Sequence, residues 1–138
     1  MSNIKQCRPY LASYQNNIVR RLKEIDLFLK TKSSPYTKSD TIELLQISDE
    51  ELEEVMKENN ITHITPESFI VIMKSGSDEL CRIFKRELEC GMTEYYSPEQ
   101  ISYTYNIDID VILNAYAQMG ITKLHPGLME TLFSNIYI

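Results

Sequence analysis

The residues of this chain whose types could carry chemistry are three cysteines, two histidines and nine tyrosines. Cys7, Cys81 and Cys90 form no CxxC pair. An odd, sparse set of thiols fits a reducing compartment and not a disulfide framework. Cys81 adjoins the apolar Leu80 and reads as a buried thiol rather than a nucleophile. His63 and His125 have no second histidine or cysteine at i+3 or i+4, whereas a metal site needs several such ligands to converge. His125 precedes Pro126 and reads as a cap or turn residue. No phosphate loop, dinucleotide fingerprint or nucleophile elbow is present. The expectation is a protein that is not an enzyme, with no catalytic residue, no metal ligands and no cofactor. The group Tyr95, Tyr96, Tyr103, Tyr105 and Tyr116 has two readings: stacking on bases, or half-buried packing of amphipathic rings.

Charge says more. The chain of 138 residues has a formal net charge of −6, distributed as +5 over residues 1–35, −8 over residues 36–95 and −3 over residues 96–138. A basic head on an acidic body is a statement about partners rather than about fold. The composition is that of a folded globular chain, long enough to bury a core without metal or disulfide staples. No apolar run reaches the length of a membrane span, and the first residues lack the apolar core of a signal peptide. These features lead us to expect a cytoplasmic protein with no membrane partner.

The positioning elements follow from a register shift of sixty residues. Tyr36 then falls on Tyr96, Ile47 on Ile107, Leu52 on Ile112 and Ile72 on Leu132, without a gap. Self-similarity at a fixed period sets the architecture before local assignments do. The fold class expected is all-α: two tandem helical repeats preceded by a long helix. The segments are residues 1–35 (the N-terminal amphipathic helix), 36–75 (repeat 1), 76–92 (a bridging helix) and 93–138 (repeat 2).

The N-terminal helix is expected over Arg8 to Lys32. Leu11, Tyr14, Ile18, Leu22, Ile25 and Leu29 lie three or four apart on one face, widened by Val19 and Phe28. That stripe either packs on its own domain or forms a homodimer seam with a second copy. In repeat 1, Thr37 is an N-cap, a short helix runs to about Leu45, and the chain turns at Gln46-Ile47. Ser48, with Glu51 at the third helical position, predicts a capping box for the next helix, ending at Asn59-Asn60. A third helix starts at Pro66 after the N-cap Thr65. Repeat 2 matches with Ser97, Pro98 and Gln100 as a capping box, a turn at Asn106-Ile107, an end at Met119-Gly120 and a third helix from Pro126 to about Ile136. Ile61–Ile64 and Ile121–Leu124 are extended pieces with room for a short β-wing. The bridging helix, Asp78 to Cys90, has Leu80, Ile83, Phe84 and Leu88 as its core face.

The phrase Thr37-Lys38-Ser39-Asp40-Thr41-Ile42-Glu43-Leu44-Leu45-Gln46-Ile47-Ser48, followed by Leu52 and Val55, resembles the opening of excisionase-like and MerR-like helix-turn-helix units. Ser102, Asn106, Ile107, Asp108, Ile112 and Ala115 supply the same pattern in the second repeat. The resemblance covers about twenty residues per repeat and implies a DNA-binding, transcription-regulating class. In such units the second helix enters the major groove. Here that helix, Asp49 to Glu58, has six acidic residues and one basic in ten, and its counterpart over Asp108 to Tyr116 has no basic residue. Phosphate neutralisation by Lys and Arg supplies most non-specific affinity, so these faces repel DNA.

Two sets of candidate site residues follow. If DNA is the partner, contact falls to Arg20, Arg21 and Lys23 on the first helix and to Arg82, Lys85 and Arg86 on the bridging helix. If a basic protein is the partner, Asp49, Glu50, Glu53 and Glu54 receive it, and the protein is an adaptor or antagonist without direct DNA contact. Each set also has a plain reading as solvated surface charge.

Overall fold

A computed structural model describes residues 9–91 and 94–137. Cys7 and the expected helix start at Arg8 lie outside the described residues. The fold is all-α. Among the described residues no strand forms, and extended pieces meet only in isolated antiparallel bridges. The chain divides into a continuous unit of residues 19–89 and a discontinuous unit of residues 1–18 with 90–138.

The N-terminal helical run is α1 (Tyr10–Tyr14), a π-helical turn (Gln15–Val19) and α2 (Arg20–Thr31). The division between the units falls inside this run, after Ile18, and not in the polar break at residues 31–35. A π turn adds a residue to the helical repeat and so rotates the apolar stripe. Ile18, Ile25 and Phe28 are buried as expected, but Leu22 is 40% exposed, and Arg21 takes the inward place.

The continuous unit contains α2, α3 (Lys38–Leu45), α4 (Asp49–Glu58), α5 (Pro66–Ser75) and most of α6 (Glu79–Cys90). Thr37 Oγ1 accepts from the Asp40 N–H at 3.0 Å and Ser48 Oγ from the Glu51 N–H at 3.1 Å, which caps α3 and α4. The capping box expected at Ser48 is only half made. The Glu51 carboxylate leaves its own helix and accepts from the Ser77 N–H at 2.6 Å and the Ser77 hydroxyl at 2.7 Å. It thereby tethers the loop before α6, accepting from two donors of Ser77 in place of the single backbone N–H of Ser48. A full capping box stands instead at Thr65 and Ser68, at the start of α5. Tyr36 donates its N–H to the Ile64 carbonyl at 2.8 Å, and Phe28, Tyr36 and Phe69 pack as an aromatic cluster over buried Leu45, Leu52 and Ile72. Of the core face expected for α6, Leu80 and Ile83 are buried, Phe84 is half-buried and Leu88 is 50% exposed. Gly76 is required at the α5–α6 connection, since a Cβ there would lie 2.7 Å from Cys81 Sγ.

The discontinuous unit holds α1, α7 (Pro98–Tyr105), α8 (Ile109–Met119), a 3-10 turn (Pro126–Leu128) and α9 (Met129–Ser134). Ser97 and Gln100 form the expected capping box. The third helix expected from Pro126 begins as the 3-10 turn, because Gly127 is a poor helix former and His125 Nδ1 accepts its N–H at 3.0 Å. Tyr96 and Leu124 exchange both backbone hydrogen bonds at 2.8 Å. At the terminus, Tyr10 donates its N–H to the Ile136 carbonyl at 2.6 Å, beside the Pro9–Tyr137 bridge.

Several apolar residues sixty apart are alike in burial. Leu45 and Tyr105, Leu52 and Ile112, Ile64 and Leu124, and Ile72 and Leu132 are all buried. Gln46 and Asn106 both end their helices at φ 54°, in the left-handed region. That conformation costs an ordinary L-residue roughly 1–2 kcal/mol, and less for Asn. Gln46→Gly relieves it, partly offset by the larger unfolded-state entropy of Gly. The expected result is a gain of about 0.5–1 kcal/mol in urea denaturation, with Asn106→Gly gaining less.

Candidate functional site

The acidic candidates lie on α4. Leu52, Val55 and Met56 turn inward and are buried, so Glu50, Glu53, Glu54, Lys57 and Glu58 face solvent. Glu53 pairs with Lys38 of α3. Asp49 is exposed at the first turn, where the helix dipole favours a carboxylate. Glu50, Glu54 and Glu58 sit four apart and form a ridge of like charge. Sixty residues on, the five outward positions of α8 hold Asp110, Leu113, Asn114, Ala117 and Gln118, with a single charge. The two outer faces are therefore chemically different although their inner faces match.

The basic candidates differ in exposure and pairing. Arg21 is drawn inside the continuous unit. Its Nη1 donates to Asp78 Oδ2 at 2.6 Å and its Nη2 to the Leu44 carbonyl at 3.3 Å, and the side chains are 14% and 16% exposed. This ties α2 to the end of α3 and to the residue before α6, so the guanidinium is committed to the fold. Arg20 is exposed and paired with Glu24 at 3.2 Å. Lys23 is exposed. On α6, Arg82 and Lys85 are exposed and Arg86 is half-buried; spaced three and four apart, they share a helical face.

The cysteine, tyrosine and histidine side chains singled out in the sequence occupy different environments. Burial, aided by nearby Asp78, pushes the Cys81 thiol up to about 12, so its nucleophilic thiolate is scarce at neutral pH. Burial likewise raises Tyr116 to about 12, and its hydroxyl donates to the Tyr96 carbonyl at 2.9 Å. Tyr105 and Tyr116 belong to the core, while Tyr103 is exposed and Tyr95 lies under the Lys123 ammonium, 4.3 Å from the ring centroid. His63 is exposed and uses its backbone carbonyl to accept from Ser68 Oγ. Among the described residues, no three of His, Cys, Asp and Glu are placed to hold a metal ion together, and no helix is long and apolar enough to cross a membrane.

Compared with known proteins, the chain matches no family, no curated protein and no solved structure.

Proposed function

We propose that this protein is a non-enzymatic regulator of the helix-turn-helix class, acting in transcription control through a basic protein partner rather than through DNA. The observation that carries this reading is the outward face of α4. Glu50, Glu54 and Glu58 stand exposed and unpaired where a DNA-reading unit would present cations. The short helix, left-handed turn and second helix support the class. The internal commitment of Arg21 weakens the DNA alternative, since it removes one cation from an already small set. A homodimer seam along the N-terminal helix is disfavoured for a similar reason. Ile18, Ile25 and Phe28 are buried within their own chain, which leaves Leu22 and Leu27 as the exposed apolar residues of that run.

Like charges four apart destabilise a helix. An acidic ridge kept for its own sake therefore works against stability, and this separates function from packing. The triple variant Glu50→Gln, Glu54→Gln, Glu58→Gln is expected to be slightly more stable in urea than the parent. Its association with a Lys/Arg-rich helical peptide should slow and lose salt dependence. In parallel, the parent chain should show no salt-sensitive binding to random-sequence duplex DNA by fluorescence anisotropy. Strong DNA binding that disappears on Arg82→Glu and Lys85→Glu would replace the protein-partner reading with the DNA one.

A further inference from the structure

Thr65 and His125 stand sixty positions apart, each just before a proline, and each caps the start of the third helix of its unit with its side chain. The two caps differ in chemistry. Thr65 Oγ1 accepts from the Ser68 N–H at 3.3 Å, and a hydroxyl keeps that capacity at any physiological pH. His125 accepts the Gly127 N–H at 3.0 Å on Nδ1, and an imidazole nitrogen accepts only while it carries no proton. The bond therefore fixes the proton of the neutral ring on Nε2. Gly127 lets the ring come close, since a Cβ there would lie 3.1 Å from Nδ1.

The surroundings offer an imidazolium little. Tyr95, in the segment before α7, meets the His125 ring edge to face with centroids 6.1 Å apart. The Lys123 ammonium sits over that same tyrosine, 4.3 Å from its centroid, and places a like charge in the neighbourhood. Of the carboxylates, Glu130 of α9 accepts from the Gln15 side chain at 3.1 Å, and Glu94, next to Tyr95 in the chain, is exposed. Protonation of Nδ1 would set a new N–H against the Gly127 N–H, donor against donor.

We propose that His125 is a proton-sensitive cap. Uptake of one proton at Nδ1 releases the Gly127 N–H and loosens the turn Pro126–Leu128, so the third helix of the discontinuous unit opens at its start in mild acid. The Thr65-capped helix of the continuous unit stays closed. Opening uncovers Met129, which is buried as the first residue of α9. The open turn binds the proton better than the closed one, so the closed form is favoured at neutral pH and loses ground as the pH falls. The device is independent of the α4 ridge, which lies in the other unit.

The test follows the nitrogen-15-labelled full chain by NMR from about pH 8 to about pH 5, the range over which histidine changes charge. The Gly127 amide is expected to shift along the same single-proton curve as the His125 ring protons, and the Ser68 amide to stay in place. In His125→Asn the Gly127 amide should hold its shift, because Asn caps without a titrating group. Urea denaturation gives a second readout. Over the same range the folding constant of the parent should fall about fivefold relative to His125→Asn, the weight of one N-cap. Equal pH dependence in the two chains overturns the proposal. So does a Gly127 amide that ignores the titration of the ring, or a Ser68 amide that moves with it. Loss of the whole response in Glu94→Gln also overturns it, because the titrating group would then be that carboxylate.

Discussion

Asp78→Ala is expected to destabilise the chain by about 3 kcal/mol, more than the loss of any exposed ion pair. Asp78 Oδ2 accepts from Arg21 at 2.6 Å and from the Leu80 N–H at 3.0 Å, at the start of α6. Removing it leaves a guanidinium that is 14% exposed, with the Leu44 carbonyl as its remaining acceptor and Nε–H already unsatisfied. The larger part of the cost is that stranded charge, not the lost attraction. Arg21→Met should accordingly cost less, about 1 kcal/mol, since Asp78 can still cap Leu80 and reach water. The double variant Arg21→Met, Asp78→Ala should then be more stable than Asp78→Ala alone, although it carries one more substitution. Urea denaturation of all four chains closes this cycle. An Asp78→Ala cost below about 0.5 kcal/mol would make the contact an ordinary surface bridge.

That pair also marks where the sequence was legible and where it was not. Apolar positions sixty residues apart announced the buried faces of α3, α4, α7 and α8, and turn residues such as Asn106 and Gly120 marked helix ends, because burial and backbone conformation are local demands. Arg21 was grouped with Arg20 and Lys23 by charge type. Yet the spacing Ile18, Arg21, Ile25, Phe28 was as helical as the spacing through Leu22. The choice between them depends on the π turn over Gln15–Val19, whose extra residue rotates the stripe, and no local signal distinguishes that turn from regular helix. Asp78 lies fifty-seven positions further on, and Glu51 reaches Ser77 across twenty-six. Polar partners at such separations leave no periodic trace. The outward faces of α4 and α8 were open to direct reading, because exposed side chains keep the charge they were written with.

The largest single loss is expected from Phe133→Ala in the discontinuous unit. The shift of sixty places Phe133 on Met73 and Met129 on Phe69, so the aromatic side chain of the third helix moves by one turn between the units. Its partners move with it. In the continuous unit Phe69 meets Phe28 and Tyr36. In the discontinuous unit Phe133 meets Tyr10, Tyr14 and Tyr105, with ring centroids 4.8, 4.5 and 5.0 Å away. The place that the shift would assign to a Phe28 equivalent is Leu88, which is 50% exposed and takes no such role. Phe133 is fully buried, so truncation should cost about 3–5 kcal/mol from the cavity and the lost ring contacts. Phe133→Met, the residue found sixty positions earlier, refills much of the volume and should cost about 1–2 kcal/mol. Leu88→Ala should stay within about 0.5 kcal/mol of the parent. In Phe133→Ala, hydrogen exchange should accelerate first over residues 10–18 and 96–137, because α1 is held to its unit largely through this ring. If α1 amides stay protected while α9 opens, the backbone bond from Tyr10 to Ile136 holds the terminus without the aromatic cluster, and the ring is a filler rather than the anchor of α1.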